Sequence, residues 1–173
     1  MGTRGLSGFK YEGKHKVMYN QFDSYPDGLG HWVAEFVQLV QKEKGWDVLK
    51  ENVANLEVVD EGDKPTKKQQ EKYACYADTR VSSRSLDEWY VLMRKLQGDK
   101  ILHEVYKGKV GHIPDARKFI EDSLFCEYAY IVNLDTMCLD CYNGGRNKIA
   151  SIPFKEVNTD AIDKAYGPED EWE

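Results

Sequence analysis

The stretch "TRGLSGFKYEGKHKVMYNQF", residues 3–22, decides how the fold begins. Apolar and aromatic residues recur on both sides of "EGK", which is typical of two strands joined by a tight turn. Gly13 can supply the positive φ that such a turn requires. The sequence therefore predicts a β-hairpin whose strand ends lie in register, with the start of the chain beside Asn20 and Asp23.

Helices are predicted after this hairpin. From Leu29 an apolar residue recurs every three or four positions, which indicates an amphipathic helix that ends near a capping residue, Gly45. Residues 46–59 are predicted to form a second helix. Its apolar side would carry Val48, Leu49, Val53 and Leu56.

Two further helices follow from their start signals. Pro65 fits the first turn of a third helix that runs to about Asp78. Ser85 and Glu88 have the spacing of a capping box, which predicts a fourth helix that ends before Gly98. A weaker helical pattern covers residues 116–125.

Strands return near the end of the chain. Residues 126–145 alternate β-branched and aromatic residues around a break at Asp135, which predicts a second hairpin. Residues 148–154 predict one more strand and residues 158–166 a last helix. The predicted class is α+β: an antiparallel sheet built from the N- and C-terminal hairpins, with helices packed against it. Residues 1–166 would form a single domain, and residues 167–173 an acidic tail.

The composition limits the classes of partner that this protein is expected to bind. The net charge of −6 and the pI near 5.3 disfavour binding to nucleic acid. No apolar run approaches the roughly 20 residues that span a bilayer, and the first residues do not form a secretory signal. We therefore expect a cytoplasmic protein that does not associate with membranes.

No motif identifies a cofactor or a metal site. Cys138 and Cys141 have CxxC spacing, but residues three apart on a strand point to opposite faces, so we expect structural thiols. The four histidines show no metal-binding spacing, and Ser85 and Ser123 lack a nucleophile elbow. The sequence predicts neither a cofactor nor a metal.

The stretch "YNQFDSYPDGLGHWV", residues 19–33, is the most promising place for a site. Its second half, from Pro26 to Gly30, is explained by the bend into the helix. Its first half would face the chain start, so a pocket is expected between the two. The candidate ligand-binding residues are Thr3, Arg4, Asn20, Asp23, Ser24, Tyr25 and His31.

Two resemblances bear on this site. "MGTRGL" and "YNQFDSYPDGLG" resemble a largely uncharacterised family from phages, bacteria and fungi, and "CEYAYIVNLDTMCLDCYNG" resembles its second hairpin. A more distant similarity is to cysteine N-terminal-nucleophile hydrolases, which begin Met-Cys-Thr. That resemblance implies a related fold, with Thr3, Asn20 and Asp23 at the matching positions. Gly2 stands where those enzymes have their nucleophile.

These features predict a small binding or regulatory protein, related to phage proteins and without a catalytic nucleophile, that takes a small molecule or a protein partner. One alternative is an amidohydrolase that uses Thr3 after removal of Met1 and Gly2. Another is an acidic inhibitor of a host protein, which would present carboxylates in a row. The candidates for that row are Glu57, Asp60, Glu61 and Asp63.

Overall fold

A computed structural model describes residues 2–81 and 85–168. Its main sheet has five strands in the order β2-β1-β5-β6-β7. A second sheet pairs β3 with β4 in parallel. The strands are β1 Gly5–Tyr11, β2 Lys14–Asn20, β3 Glu57–Val59, β4 His112–Pro114, β5 Tyr128–Asn133, β6 Cys138–Asn143 and β7 Lys148–Pro153.

In the described parts of the chain, six α-helices join and cover these strands. They are α1 His31–Glu43, α2 Trp46–Ala54, α3 Lys67–Tyr73, α4 Trp89–Leu92, α5 Lys100–Tyr106 and α6 Thr159–Tyr166. A π-helical turn, Pro26–Gly30, precedes α1, and a 3-10 segment, Arg117–Glu121, precedes β5. The α+β class is therefore confirmed. Within the two described ranges, no helix is long and apolar enough to cross a bilayer.

Both predicted hairpins are confirmed, but the expectation of an antiparallel sheet is wrong where they meet. β1 pairs with β2 antiparallel and with β5 in parallel. The helical stretch returns the chain to the end of the sheet where β1 begins, and there Glu127 N–H donates to the Arg4 carbonyl at 3.0 Å. From that point β5 can only run alongside β1 in the same direction.

The ends of the first two helices differ from the prediction. Lys44, with φ 55°, is the left-handed residue that ends α1. Gly45 follows it because a Cβ there would lie 2.1 Å from the Tyr106 hydroxyl. α2 stops at Ala54, since the Lys16 ammonium donates to the carbonyls of Val53 and Leu56 at 2.6 Å each.

Beyond α2, residues 57–59 form β3 instead of continuing the helix. Leu49 and Val53 are buried on α2 as expected, and Leu56 is buried beyond its end. Val48, assigned to the same apolar side, is 53% exposed.

The third helix starts two residues later than expected, at Lys67. Thr66 is its N-cap, in a capping box with Gln69, and Pro65 precedes the helix. The helix ends at Tyr73 and continues only as a 3-10 turn to Tyr76.

The predicted capping box of the fourth helix is wrong. The Ser85 hydroxyl bonds the Asp87 carboxylate instead, and Glu88 lies in an extended conformation. The Glu88 N–H donates to the Ser85 carbonyl at 3.3 Å, whereas a capping box requires it to donate to the Ser85 hydroxyl oxygen. Only the short α4 forms, and α5, which the sequence pattern did not indicate, follows it. Residues 117–121 of the weak pattern form a 3-10 segment.

The five-stranded sheet has two unlike faces. The covered face carries Phe9, Tyr130 and Leu139, which belong to the large core beneath the helices. The open face carries Leu6, Val17 and Ile131, which form a smaller cluster beside the 3-10 segment. Of the predicted tail, Glu169–Glu173 lie outside the described residues, as does Met1.

Candidate ligand site on the open face of the sheet

The loop after β2 is tied down by its own polar groups. The Asn20 amide donates to the Phe22 carbonyl at 2.6 Å and to the Ser24 hydroxyl at 2.8 Å. The Tyr130 hydroxyl donates to the Ser24 carbonyl at 2.7 Å. Asn20 and Ser24 are buried, and these bonds hold the loop against the covered face.

The chain start lies beside this loop, as the hairpin register predicts. Gly5 pairs with Asn20, and the Thr3 carbonyl accepts from the Ser24 amide at 3.3 Å. Gly2 packs so closely on Phe22 that a Cβ would lie 2.1 Å from the ring. The two stretches are therefore in direct contact.

The remaining predicted site residues point to separate neighbours. The Arg4 guanidinium lies 4.4 Å from the centroid of the Phe125 ring. His31 Nε2 lies 2.6 Å from a carboxylate oxygen of Asp163. Asp23 is exposed with φ 59°, and Tyr25 is 42% exposed with its ring 6.0 Å from that of Tyr128. The structure thus brings Thr3, Asn20 and Ser24 together, while Arg4 and His31 have partners elsewhere.

A cavity of about 560 Å³ lies on the open face. Leu6, Val17 and Ile131 form its floor, one from each of three adjacent strands, β1, β2 and β5. Ile120 and Tyr142 line it as well. We call it the open-face cavity, and its size falls within the range of about 300–1,000 Å³ typical of small-molecule sites.

Charged side chains form the rim of this cavity. Arg117 holds Asp115 in a two-point contact at 2.9 and 2.7 Å, and this guanidinium keeps the pKa of Asp115 below its ordinary value. Arg146 contacts Glu121 at 2.5 Å. Both rim carboxylates are therefore already paired. The rim residues are His15, Asp115, Arg117, Lys118, Glu121, Arg146 and Lys148.

His15 lies at the rim in a setting that opposes its protonation. Its pKa is lowered mainly by burial and then by the charges of Lys10 and Arg117, while Asp140 and Asp135 act in the opposite direction. This setting favours the neutral imidazole, which has one nitrogen that donates a hydrogen bond and one that accepts.

A second cavity, of about 670 Å³, adjoins the same 3-10 segment and shares Asp115 and Lys118 with the open-face cavity. Its aromatic residues are Tyr19, Tyr90 and Phe119. Asp60 and Glu61 of the predicted acidic row line it, whereas Glu57 faces His112 at 3.3 Å. Burial, and then the charges of Glu88 and Asp60, raise the pKa of Glu61.

The cysteines are free thiols. Leu139 and Cys141 pack in the core of the covered face, while Cys138 is partly exposed on the opposite face. Burial raises the pKa of Cys126 and of Cys141 to about 12, so neither supplies a thiolate nucleophile at neutral pH. Among the described residues, no group of three His, Cys, Asp or Glu side chains could hold a metal ion.

No family model, curated protein or solved structure matches this chain. The candidate site therefore depends on its own geometry.

The sequence reasoning missed the open-face cavity because its lining residues are spread from Leu6 to Lys148. One local signal was present in the "YAYIV" run at the start of β5, which has an apolar or aromatic side chain at every position. Such a run is typical of a strand with apolar surroundings on both faces.

Proposed function

We propose that this protein is a small binding module whose ligand occupies the open-face cavity. The observation that supports the proposal is the apolar floor of Leu6, Val17 and Ile131, contributed by three strands and set within a ring of charged side chains. Such a combination of an apolar interior and a few polar groups is characteristic of small-molecule sites.

The floor is built on rigid elements. Leu6 and Ile131 lie in neighbouring parallel strands, and Val17 follows in the strand beyond β1. Backbone ladders fix the positions of these three residues relative to one another. Preorganised sites of this kind lose little conformational entropy on binding.

The neutral dye N-phenyl-1-naphthylamine tests the proposal, because its fluorescence rises when it leaves water. We expect saturable binding to the wild type at one site. Ile120→Trp should abolish it, since Ile120 is only partly buried and a larger side chain can grow into the cavity.

The matched control is Ile149→Trp, which adds the same ring on β7 at a position that does not line the cavity. It should bind the dye like the wild type. The proposal fails if the wild type does not bind the dye, or if both variants bind it equally well.

The alternatives from the sequence remain predictions with their own tests. An amidohydrolase using Thr3 requires a mature chain that begins there, which intact-mass spectrometry would detect. An inhibitor acting through Asp60 and Glu61 should retain one partner in stoichiometric amount from a cell lysate, and neutralising both residues should release it.

A further inference from the structure

The rim of the open-face cavity has an excess of positive charge. Four of its residues are Lys or Arg and two are acids, although the whole chain has a net charge of −6. Each acid is already paired with an arginine, through Asp115–Arg117 and Glu121–Arg146. A cationic site in an acidic protein selects for anions locally.

Among the residues that the structure describes, two of these cations form no ion pair. Across residues 2–81 and 85–168, neither Lys118 nor Lys148 belongs to an ion pair. Both are exposed, one in the 3-10 segment and the other at the first position of β7. A ligand anion at the rim could therefore meet two free ammonium groups from separate elements.

The floor restricts the rest of the ligand. Leu6, Val17 and Ile131 present only hydrocarbon, and since each is at most 3% exposed, a ligand over them also contacts the partly exposed Ile120 and Tyr142. The part of a ligand that lies on them must be apolar, because a polar group there would lose its hydrogen bonds to water. Floor and rim together fit a molecule with an apolar body and an anionic end.

Resting on the proposed function, we infer that the ligand is an organic anion. Its aromatic or aliphatic body lies on Leu6, Val17 and Ile131, and its carboxylate, sulfonate or phosphate is bound by Lys118 and Lys148. Arg146 adds to the positive electrostatic potential at the rim while it remains paired with Glu121.

Two dyes with the same body test this inference. The dye 8-anilinonaphthalene-1-sulfonate is N-phenyl-1-naphthylamine with an added sulfonate. The wild type should bind the sulfonate about tenfold more tightly than the neutral dye, since a charge-assisted contact is worth about that factor. Added salt should reduce this preference.

The double variant Lys118→Gln/Lys148→Gln should lose the preference, so that it binds the sulfonate no more tightly than the neutral dye. The matched control, Lys67→Gln/Lys68→Gln, removes the same charge from the exposed side of α3. This variant should retain the preference for the sulfonate. An unchanged melting temperature would show that the variants are folded.

The outcomes separate the two proposals. Equal binding of both dyes to the wild type overturns the anion inference and leaves the cavity as a binding site. A preference that survives in the double variant overturns the assignment to Lys118 and Lys148. Absence of binding by the neutral dye overturns the proposed function itself.

Discussion

On the covered face of the sheet, aromatic and aliphatic side chains fill the space beneath the helices, whereas on the open face a short 3-10 segment lies over part of the sheet. Phe36 of α1 shows the first kind of packing, with its ring 6.4 Å from that of Phe9 and 5.0 Å from that of His103. Ile120 shows the second, since it is partly buried and borders a cavity. The covered face therefore supplies most of the stability, and the open face has room for a ligand.

The largest expected difference between the faces is in stability. Phe36→Ala should lower the free energy of unfolding by about 3–5 kcal/mol, because Phe36 is fully buried and its loss leaves a void beside the buried Phe9 ring. Ile120→Ala should cost about 1 kcal/mol, since part of that side chain is already in contact with solvent. Urea denaturation measures both. Equal costs would contradict the distinction between the faces.

A second prediction separates the loop after β2 from the open-face cavity. Asn20→Ala should cost about 1–3 kcal/mol, because it leaves the Phe22 carbonyl and the Ser24 hydroxyl without this donor. Binding of N-phenyl-1-naphthylamine should not change, since Asn20 does not line the cavity.

The control in the same loop is Asp23→Asn, which keeps a residue that tolerates the left-handed backbone at φ 59°. Its stability should stay within about 0.5 kcal/mol of the wild type. If a folded Asn20→Ala protein no longer binds the dye, the binding site lies at the loop residues predicted from the sequence and not in the open-face cavity.

The third and smallest predicted effect is a pH dependence of stability that is caused by His112, on the side of the sheet that the helices cover. The His112 ring accepts from or donates to the Tyr73 hydroxyl at 2.6 Å and stacks on Trp89. Burial, and more weakly Lys72, lower its pKa from the ordinary 6.5, while Glu57 opposes them. The stabilising contribution of the neutral ring is thus complete above pH 6.5 and is lost as the pH falls towards the folded-state pKa.

We expect thermal stability to fall as the pH decreases below 6.5, and to fall less in His112→Asn, which keeps an acceptor for Tyr73 without a titrating ring. A variant with the same pH profile as the wild type would show that other groups cause the decline. His15, whose pKa is also lowered by burial, is the counterpart on the open face, and His15→Asn provides the comparison.

The faces also differ in how far the sequence predicts them. The hairpins are local structures, and the Gly13 turn and the alternation along β5 and β6 specify them within a few residues. The parallel pairing of β1 with β5 joins residues more than a hundred positions apart, so no local pattern encodes it. The fourth helix was mispredicted because the Glu88 N–H donates to the Ser85 backbone carbonyl, a contact that residue spacing does not reveal.

The candidate site, like the fold, could be predicted from the sequence only in part. The contact between the chain start and the loop after β2 follows from hairpin register and was predictable. The roles of Asn20 and Ser24 as internal hydrogen-bond partners depend on Tyr130, which enters from a distant strand. The open-face cavity arises only once the two hairpins join and the 3-10 segment lies beside them.

Methyl NMR during titration with 8-anilinonaphthalene-1-sulfonate locates the bound dye on one face of the sheet. We expect the methyl signals of Leu6, Val17, Ile120 and Ile131 to shift together with one saturation curve, while those of Leu29, Val33 and Ile162 on the covered side remain in place. Shifts at the covered-side methyl groups, with the open-face signals unchanged, would contradict this expectation.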